Sequence, residues 1–220
     1  MECKTNSTCK ARAIIGILGA AVFFVIMAAV ITGNAYVIDD PVRNLIYSIR
    51  ADRLTPFVKV ITYMGNWQSI TILCFILLIL KPTRRTYGIP VSAGAITVTV
   101  LNKIIKSFVE RLRPDDIVHL VHAGGFSFPS GHSITSMFVF GMLIYLVRTN
   151  IQNRHTANIL TVVLAIPMIC IGLSRIYLGV HYPTDVLAGW SLGIVMIAVI
   201  SAVFGDRGSS HFFLQKKHKK

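Results

Sequence analysis

A chain of 220 residues that is 54% apolar, with a mean hydropathy of +0.65, lies beyond the usual range of soluble domains, in which apolar residues make up roughly half. It reads instead as an integral membrane protein of one domain, residues 1–220, in an all-α class. The formal charge of +13 raises nucleic acid as a partner. However, the basic residues are dispersed among apolar runs and no nucleic-acid module is present, so membrane topology and an anionic substrate account for the charge better.

Taken in order, the apolar stretches predict six membrane spans, over about 13–32, 57–80, 87–105, 132–147, 158–173 and 185–204. The first has a longer apolar core than a secretory signal and no convincing cleavage site after it, so it is expected to stay in the membrane. Residues 33–56 mix Asp39, Asp40, Pro41, Arg43, Arg50, Asp52 and Arg53 with apolar residues at helical spacing, which predicts a loop and an amphipathic helix at the interface. Trp67 is expected at an interface or a packing contact, and Lys81-Pro82-Thr83-Arg84-Arg85 as a basic turn. The third span carries Ser92, Thr97, Thr99 and Asn102 among small residues, a composition that predicts interior packing and hydrogen bonds between helices. Cys74 and Cys170 sit in apolar runs and Cys3 and Cys9 in the short N-terminal tail; they make neither a disulfide framework nor a zinc pattern. Asn6-Ser7-Thr8 matches a glycosylation sequon too short to carry weight.

Six spans place both termini on one side. With those termini and the even-numbered turns inward, Lys4, Lys10, Arg12, Lys81, Arg84, Arg85, Arg148, Arg154, Arg207 and the tail lysines Lys216, Lys217, Lys219 and Lys220 face the cytoplasm, and the other nine basic residues face out. The expectation is cytoplasmic termini and an active site on the extracytoplasmic face. Nothing in the sequence assigns an oligomeric state.

Three segments carry the chemistry. In Lys106-Ser-Phe-Val-Glu-Arg-Leu-Arg113-Pro114, two fixed cations at a helix end can clamp a phosphoryl group, although basic residues after a membrane helix are also ordinary interface anchors. In Phe128-Pro129-Ser130-Gly131-His132-Ser133, a tight turn opens a helix. Gly131 permits close approach to an anion, Ser130 adds a hydroxyl, and His132 can hold a proton for a leaving oxygen; a capped helix with an incidental histidine is the bland alternative. In residues 174–185, Pro183 suits the first turn of a helix, Asp185 sits in that turn within reach of His181, and Arg175 offers a planar fork to phosphate. Asp185 as a helix-dipole acid and His181 as an interfacial residue is the corresponding alternative. All three segments fall at one membrane face, and no His, Asp and Glu cluster has metal spacing, so the chemistry is expected to need no metal and no cofactor.

These segments, in order and complete, match the patterns KxxxxxxRP, PSGH and SRxxxxxHxxxD. The chain therefore resembles the type 2 phosphatidic acid phosphatase superfamily, which also includes vanadium haloperoxidases. With six spans it looks most like the small bacterial membrane lipid phosphatases that act on phosphatidylglycerophosphate or undecaprenyl diphosphate. The resemblance implies that His181 attacks phosphorus to form a phosphohistidine, Asp185 orients it, and His132 protonates the leaving oxygen. Lys106, Arg113, Arg175, Ser130 and the Gly131 amide would hold the phosphate. It implies a membrane lipid phosphate or diphosphate as substrate, phosphatidic acid and a lipid A phosphate among the candidates, with the bilayer as the other partner and no nucleic acid. It assigns no role to Glu110, Arg111, His119 or His122, which are left as substrate or gating contacts. The competing reading from another class is an anion transporter or lipid-phosphate-binding membrane protein without turnover.

Overall fold

The computed structural model describes the backbone over residues 6–217 and the side chains over residues 9–204. The sequon side chains, Cys3, Lys4, Arg207 and the tail lysines lie outside the described side chains. Every element among the described residues is helical: α1 (Asn6–Ile31), α2 (Tyr36–Ser48), α3 (Thr55–Tyr63), α4 (Trp67–Ile79), α5 (Lys81–Thr83), a π-helical turn (Arg84–Gly88), α6 (Ile89–Val109), α7 (Gly131–Asn150), α8 (Arg154–Tyr177) and α9 (Pro183–Lys217).

Five helical stretches are long and apolar enough to cross a membrane; α3 and α4, bent by 46° at a short break, make a sixth if counted as one span. The break has a local cause. Gly65 leaves the helix and Asn66 takes an extended conformation (φ −68°, ψ 152°) as the N-cap of α4. Two other boundaries differ from the sequence expectation. The basic stretch 81–85 is helical rather than a turn, and it runs through the π turn, where the amide of Ile89 donates to the Arg84 carbonyl, straight into α6. The spans at α7 and α8 are longer than expected, so that Arg175 lies in the last helical turn of α8. Cys74 and Cys170 are free thiols, whereas Cys9 is disulfide-bonded, a pairing that the sequence reading did not expect.

A broad apolar surface stays uncovered on α1, α4, α6 and α8, with Phe24, Val25, Phe75, Ile96, Ile104, Val162 and Ile166 among the exposed residues. A soluble monomer does not expose apolar area on this scale; a bilayer covers it. The core forms where α7 packs on α9, α6 and α8, around Ile134, Phe138, Val139 and Met142 of α7, Val91 and Val98 of α6, and Ala188, Leu192 and Met196 of α9. Small residues set the α7–α9 approach. A Cβ on Gly193 would stand 2.7 Å from the Met137 Cβ, and one on Gly189 would stand 3.0 Å from the Ser130 carbonyl oxygen. Only glycine lets the two backbones come this close, and the contact presses the start of α9 against the start of α7. The expected interior position of the third span holds for one face of α6 only: Val91, Gly94, Ala95 and Val98 are buried, while Thr97 and Thr99 are exposed and donate to their own helix at Ala93 and Ala95. The hydroxyls are satisfied within the turn, so they are not available to bridge helices.

α2 is a helix in the segment expected to form one at the interface. Tyr36, Val37, Val42 and Leu45 are exposed on it, and Asp39 is buried. The end of α6, the loop 110–130, the start of α7, the end of α8 and the start of α9 meet α2 at one end of the bundle. Backbone bonds from Leu120 to Leu178 and from Ser130 to Asp185, each 3.0 Å, tie that loop down.

Candidate active site

The three sequence segments converge at this end of the bundle. His181 follows the end of α8 in a short turn and is 2% exposed; Asp185, in the first turn of α9, is fully buried. Asp185 Oδ2 lies 3.3 Å from His181 Nδ1 and accepts the Tyr182 amide at 2.9 Å, while Oδ1 accepts from Arg111 at 2.8 Å. On the other side of the ring, Arg113 approaches His181 Nε2 at 3.1 Å. A guanidinium can only donate, so Nε2 carries the lone pair and Nδ1 carries the hydrogen that points at Asp185. The ring is held in the one tautomer that leaves Nε2 nucleophilic. Burial, and then the charges of Arg175, Arg113 and Lys106, press the His181 pKa well below the ordinary imidazole value, against a raising bond to Ser127. The ring is therefore neutral near pH 7.

Three cations surround that nitrogen. Arg113 donates to the carbonyls of Val180 (2.6 Å), Gly124 (2.9 Å), Gly125 (3.0 Å) and Phe126 (3.3 Å). Lys106, at the end of α6, donates to the carbonyl of Ser127 at 3.1 Å and also to that of Phe126. Its ammonium has a third proton to offer. Arg175 donates to the Thr62 hydroxyl of α3 at 2.8 Å, and its Nε is buried with no partner. An unpaired guanidinium N–H in a buried pocket is what an anion would satisfy. Burial lowers the Arg113 pKa and Asp185 counters it.

The Pro129-Ser-Gly-His132 segment supplies the facing wall. Ser130 caps α7: its oxygen accepts from the Ser133 hydroxyl at 2.8 Å and, weakly, from the Ser133 amide. Its own hydroxyl hydrogen remains available to a ligand. The first amides of α7 have no helical partner by construction, which makes this end a natural anion seat. The Phe128–Pro129 peptide bond is cis. His132 lies in the field of Arg175, His181, Arg113 and Lys106, which places it in the same pocket, and its Nε2 meets the Asn66 Oδ1 at 2.7 Å. Asn66 accepts there, so in the charged ring Nδ1–H is the proton free to move.

The sequence reading missed three residues bonded into this site. Asn66 sits at the break between α3 and α4. Arg111, expected as a substrate or gating contact and not as a partner of Asp185, bridges Asp185 and Asp39 (2.5 Å to Asp39 Oδ2) and stacks on the Tyr182 ring at 3.9 Å. Asp39 lies in residues 33–56, expected as a loop and an amphipathic helix at the interface with no part assigned to Asp39 itself. Of the remaining polar loop residues, His119 donates to the Pro114 carbonyl at 2.5 Å and so pins the loop, and Glu110 takes a left-handed conformation (φ 50°) that ends α6. No group of His, Cys, Asp and Glu among the described residues is arranged to hold a metal ion. An apolar cavity of about 590 Å³ opens between α4, α6 and α7 and reaches the pocket at Gly131 and His132, with Trp67, Phe75, Ile96 and Asn102 along its walls.

Comparison with known proteins identifies the family. Residues 87–209 match the PAP2 superfamily model. The chain is 34% identical over 185 residues to phosphatidylglycerophosphatase B of Bacillus subtilis, covering 81% of this chain and 89% of that protein. It is 37% identical over 145 residues to decaprenylphosphoryl-5-phosphoribose phosphatase of Mycobacterium tuberculosis, covering 64% and 73%. The fold superimposes on the crystal structure of a transmembrane PAP2-type phosphatidylglycerolphosphate phosphatase from Bacillus subtilis with a TM-score of 0.77 at 28% identity, covering 86% of this chain and 94% of that one. By sequence and by fold, the chain belongs to the PAP2 superfamily.

Proposed function

We propose that this multi-pass membrane protein is a lipid phosphatase, folded as one membrane-embedded domain, that removes the terminal phosphate of a lipid phosphate or diphosphate through a phosphohistidine. The observation that carries the reading is the His181 ring, neutral, buried and clamped between Asp185 at Nδ1 and Arg113 at Nε2. An incoming phosphoryl group takes over the Arg113 hydrogen bond, draws on the third proton of Lys106, the free Nε–H of Arg175, the Ser130 hydroxyl and the Gly131 amide, and leaves Nε2 in line with phosphorus. The Nε2–P bond forms as the bond from phosphorus to the leaving oxygen breaks. With the bound phosphate offsetting the charge of the nearby cations, a protonated His132 gives that oxygen its proton, and Asp185 supports the positive charge left on the His181 ring. Water then attacks phosphorus and gives its proton to His132, the Nε2–P bond breaks with its electron pair returning to nitrogen, and phosphate leaves.

A lipid substrate follows from the apolar cavity, which would hold chains between α4, α6 and α7 while the headgroup phosphate reaches His132. The relatives named above support the same substrate class: one is named for phosphatidylglycerophosphate and the other for decaprenylphosphoryl-5-phosphoribose. The active site is assigned to the extracytoplasmic face and the termini to the cytoplasm on the lysine and arginine distribution. Membrane-impermeant thiol labelling of single cysteines, placed in the 114–125 loop or near the C-terminus of a cysteine-free background, tests that assignment in intact cells.

The deciding experiment is phosphate release by the purified protein, with chelator present, from phosphatidylglycerophosphate, undecaprenyl diphosphate, phosphatidic acid and a lipid A phosphate, beside His181→Ala. Release that survives chelator and vanishes in the variant is expected. No release from any lipid, together with protein-dependent movement of a lipid phosphate or anion in vesicles, would replace the phosphatase with a transporter.

A further inference from the structure

Asp39, outside the three segments, and Arg111, at a position of the first segment that carries no expected role in phosphate binding, form a densely bonded group of charges among the described residues. Asp39 is 1% exposed, although its neighbours on α2 face outward. Its Oδ1 accepts the Thr184 amide at 2.8 Å, and its Oδ2 accepts both the Thr184 hydroxyl at 2.9 Å and Arg111. Arg111 in turn donates to Thr184 Oγ1 and to Asp185 Oδ1, each at 2.8 Å. Burial works against the Arg111 charge, yet the carboxylates of Asp185 and Asp39 outweigh it and raise its pKa. A buried carboxylate is costly unless it is paired. For Asp185 a single guanidinium would complete the pairing; the structure buries a second carboxylate behind it.

We propose that Asp39 is a positioning residue of the reaction, acting through Arg111: it fixes the guanidinium that holds Asp185 Oδ1 and offsets its charge, so that Oδ2 faces His181 with a net negative charge behind it. The inference rests on the assignment of His181 as nucleophile. Arg111 and Asp185 alone would sum to zero. With Asp39 the trio carries one net negative charge, facing a ring that becomes positive once Nε2 bonds to phosphorus. The other charged or titratable groups around that ring are Lys106 from α6, Arg113 from the loop, His132 from α7 and Arg175 from α8; three of these are cations that oppose a positive ring. The same cations bind the phosphate, so the two steps respond to Asp39 with opposite signs. Its carboxylate helps the chemical step and slightly disfavours binding of the anion.

The test is Asp39→Asn in the full-length protein, with kcat and KM measured on whichever lipid the parent hydrolyses and Ki for inorganic phosphate measured alongside. Asparagine keeps the size, removes the charge and leaves Arg111 paired with Asp185, although its nitrogen must then meet either the Thr184 amide or the Oδ2 donors, Arg111 and the Thr184 hydroxyl. The expected result is a fall in kcat of about 10- to 100-fold, the range for losing a charge-assisted hydrogen bond, with KM and Ki unchanged or lower. Asp39→Glu, which restores the charge, is expected to recover most of the loss. Helical circular dichroism and thermal melting establish that the variants fold, and Asp39→Ser is the second variant if Asp39→Asn does not. Parental kcat in a folded neutral variant overturns the proposal, as does a loss that appears as a raised KM and Ki. A parent that releases no phosphate, or a His181→Ala variant that still does, would instead overturn the nucleophile assignment itself.

Discussion

Replacing Asp185 with Asn separates the charge of this residue from its shape. Both oxygens of Asp185 face donors only: Arg111 at 2.8 Å on Oδ1, and the Tyr182 amide at 2.9 Å and His181 Nδ1 at 3.3 Å on Oδ2. An amide can satisfy one of these edges but not both. With its nitrogen toward Arg111, two donors meet and the buried guanidinium loses half its pairing. With its nitrogen toward His181, the ring must turn over its tautomer, put the hydrogen on Nε2 and clash with Arg113, and the nucleophilic lone pair disappears. Either outcome also removes the charge that, under the proposed mechanism, stabilises the phosphorylated ring. The comparable change in a serine protease triad costs about 10⁴-fold in kcat, and the expected loss here is about 10³- to 10⁴-fold, or roughly 4 to 5.5 kcal/mol of barrier. Steady-state phosphate release at saturating lipid, on detergent-purified protein of parental helicity, measures it. Inorganic phosphate should still compete, since Lys106, Arg113 and Arg175 are untouched. A folded Asp185→Asn enzyme that keeps kcat within tenfold of the parent would refute the assignment of Asp185 as the orienting acid.

Four further outcomes are expected. Since His181 is held neutral well below the ordinary imidazole pKa of about 6.5, the limb of kcat/KM that reports its protonation should lie well under pH 6.5; a limb at 6.5 or above contradicts the burial and the three cations. The unfolded chain takes up that proton from about pH 6.5 downward while the folded site refuses it, so stability should fall as the pH drops below 6.5, by up to about 1.4 kcal/mol per pH unit for this residue; melts from pH 7.5 to 5.5 should show this fall and His181→Gln should reduce it. Asn66→Ala removes the acceptor of His132 and should lower kcat by about tenfold on a lipid phosphate but much less on an aryl phosphate whose leaving group needs no proton; an equal loss on both would detach Asn66 from the acid. Gly193→Val forces a side chain where a Cβ already stands 2.7 Å from Met137 and should cost about 1–3 kcal/mol; an unchanged melting temperature would show that α7 and α9 can separate freely.

What the sequence made legible was local. Lys106 and Arg113 are one helix end apart, His181 and Asp185 one helical turn, and Pro183 marks the start of α9, so spacing and turn chemistry read directly as structure. The stretch 81–85 differs from the expected turn because a run of basic residues beside Pro82 looks like one, whereas the structure carries it through α5 and into a π-helical turn. The break at Asn66 was hidden inside a continuous apolar run, where glycine and asparagine are weak signals on their own.

The residues that escaped the reading share a different property: their roles exist only through contacts remote in sequence. Arg111 meets Asp39 across 72 positions, Thr184 meets Asp39 across 145, and His132 meets Asn66 across 66. On an amphipathic interfacial helix, one aspartate among Asp40, Arg43 and Asn44 has no local mark that separates it from a solvated neighbour. Burial supplies that mark, since water satisfies an exposed carboxylate at no cost, whereas one that is 1% exposed must find partners within the fold. The partners of Asp39 are the guanidinium and the threonine that frame Asp185. Helix α2 is therefore wired to the carboxylate that faces His181, and under the proposed mechanism its placement against the bundle bears on the charge behind that ring.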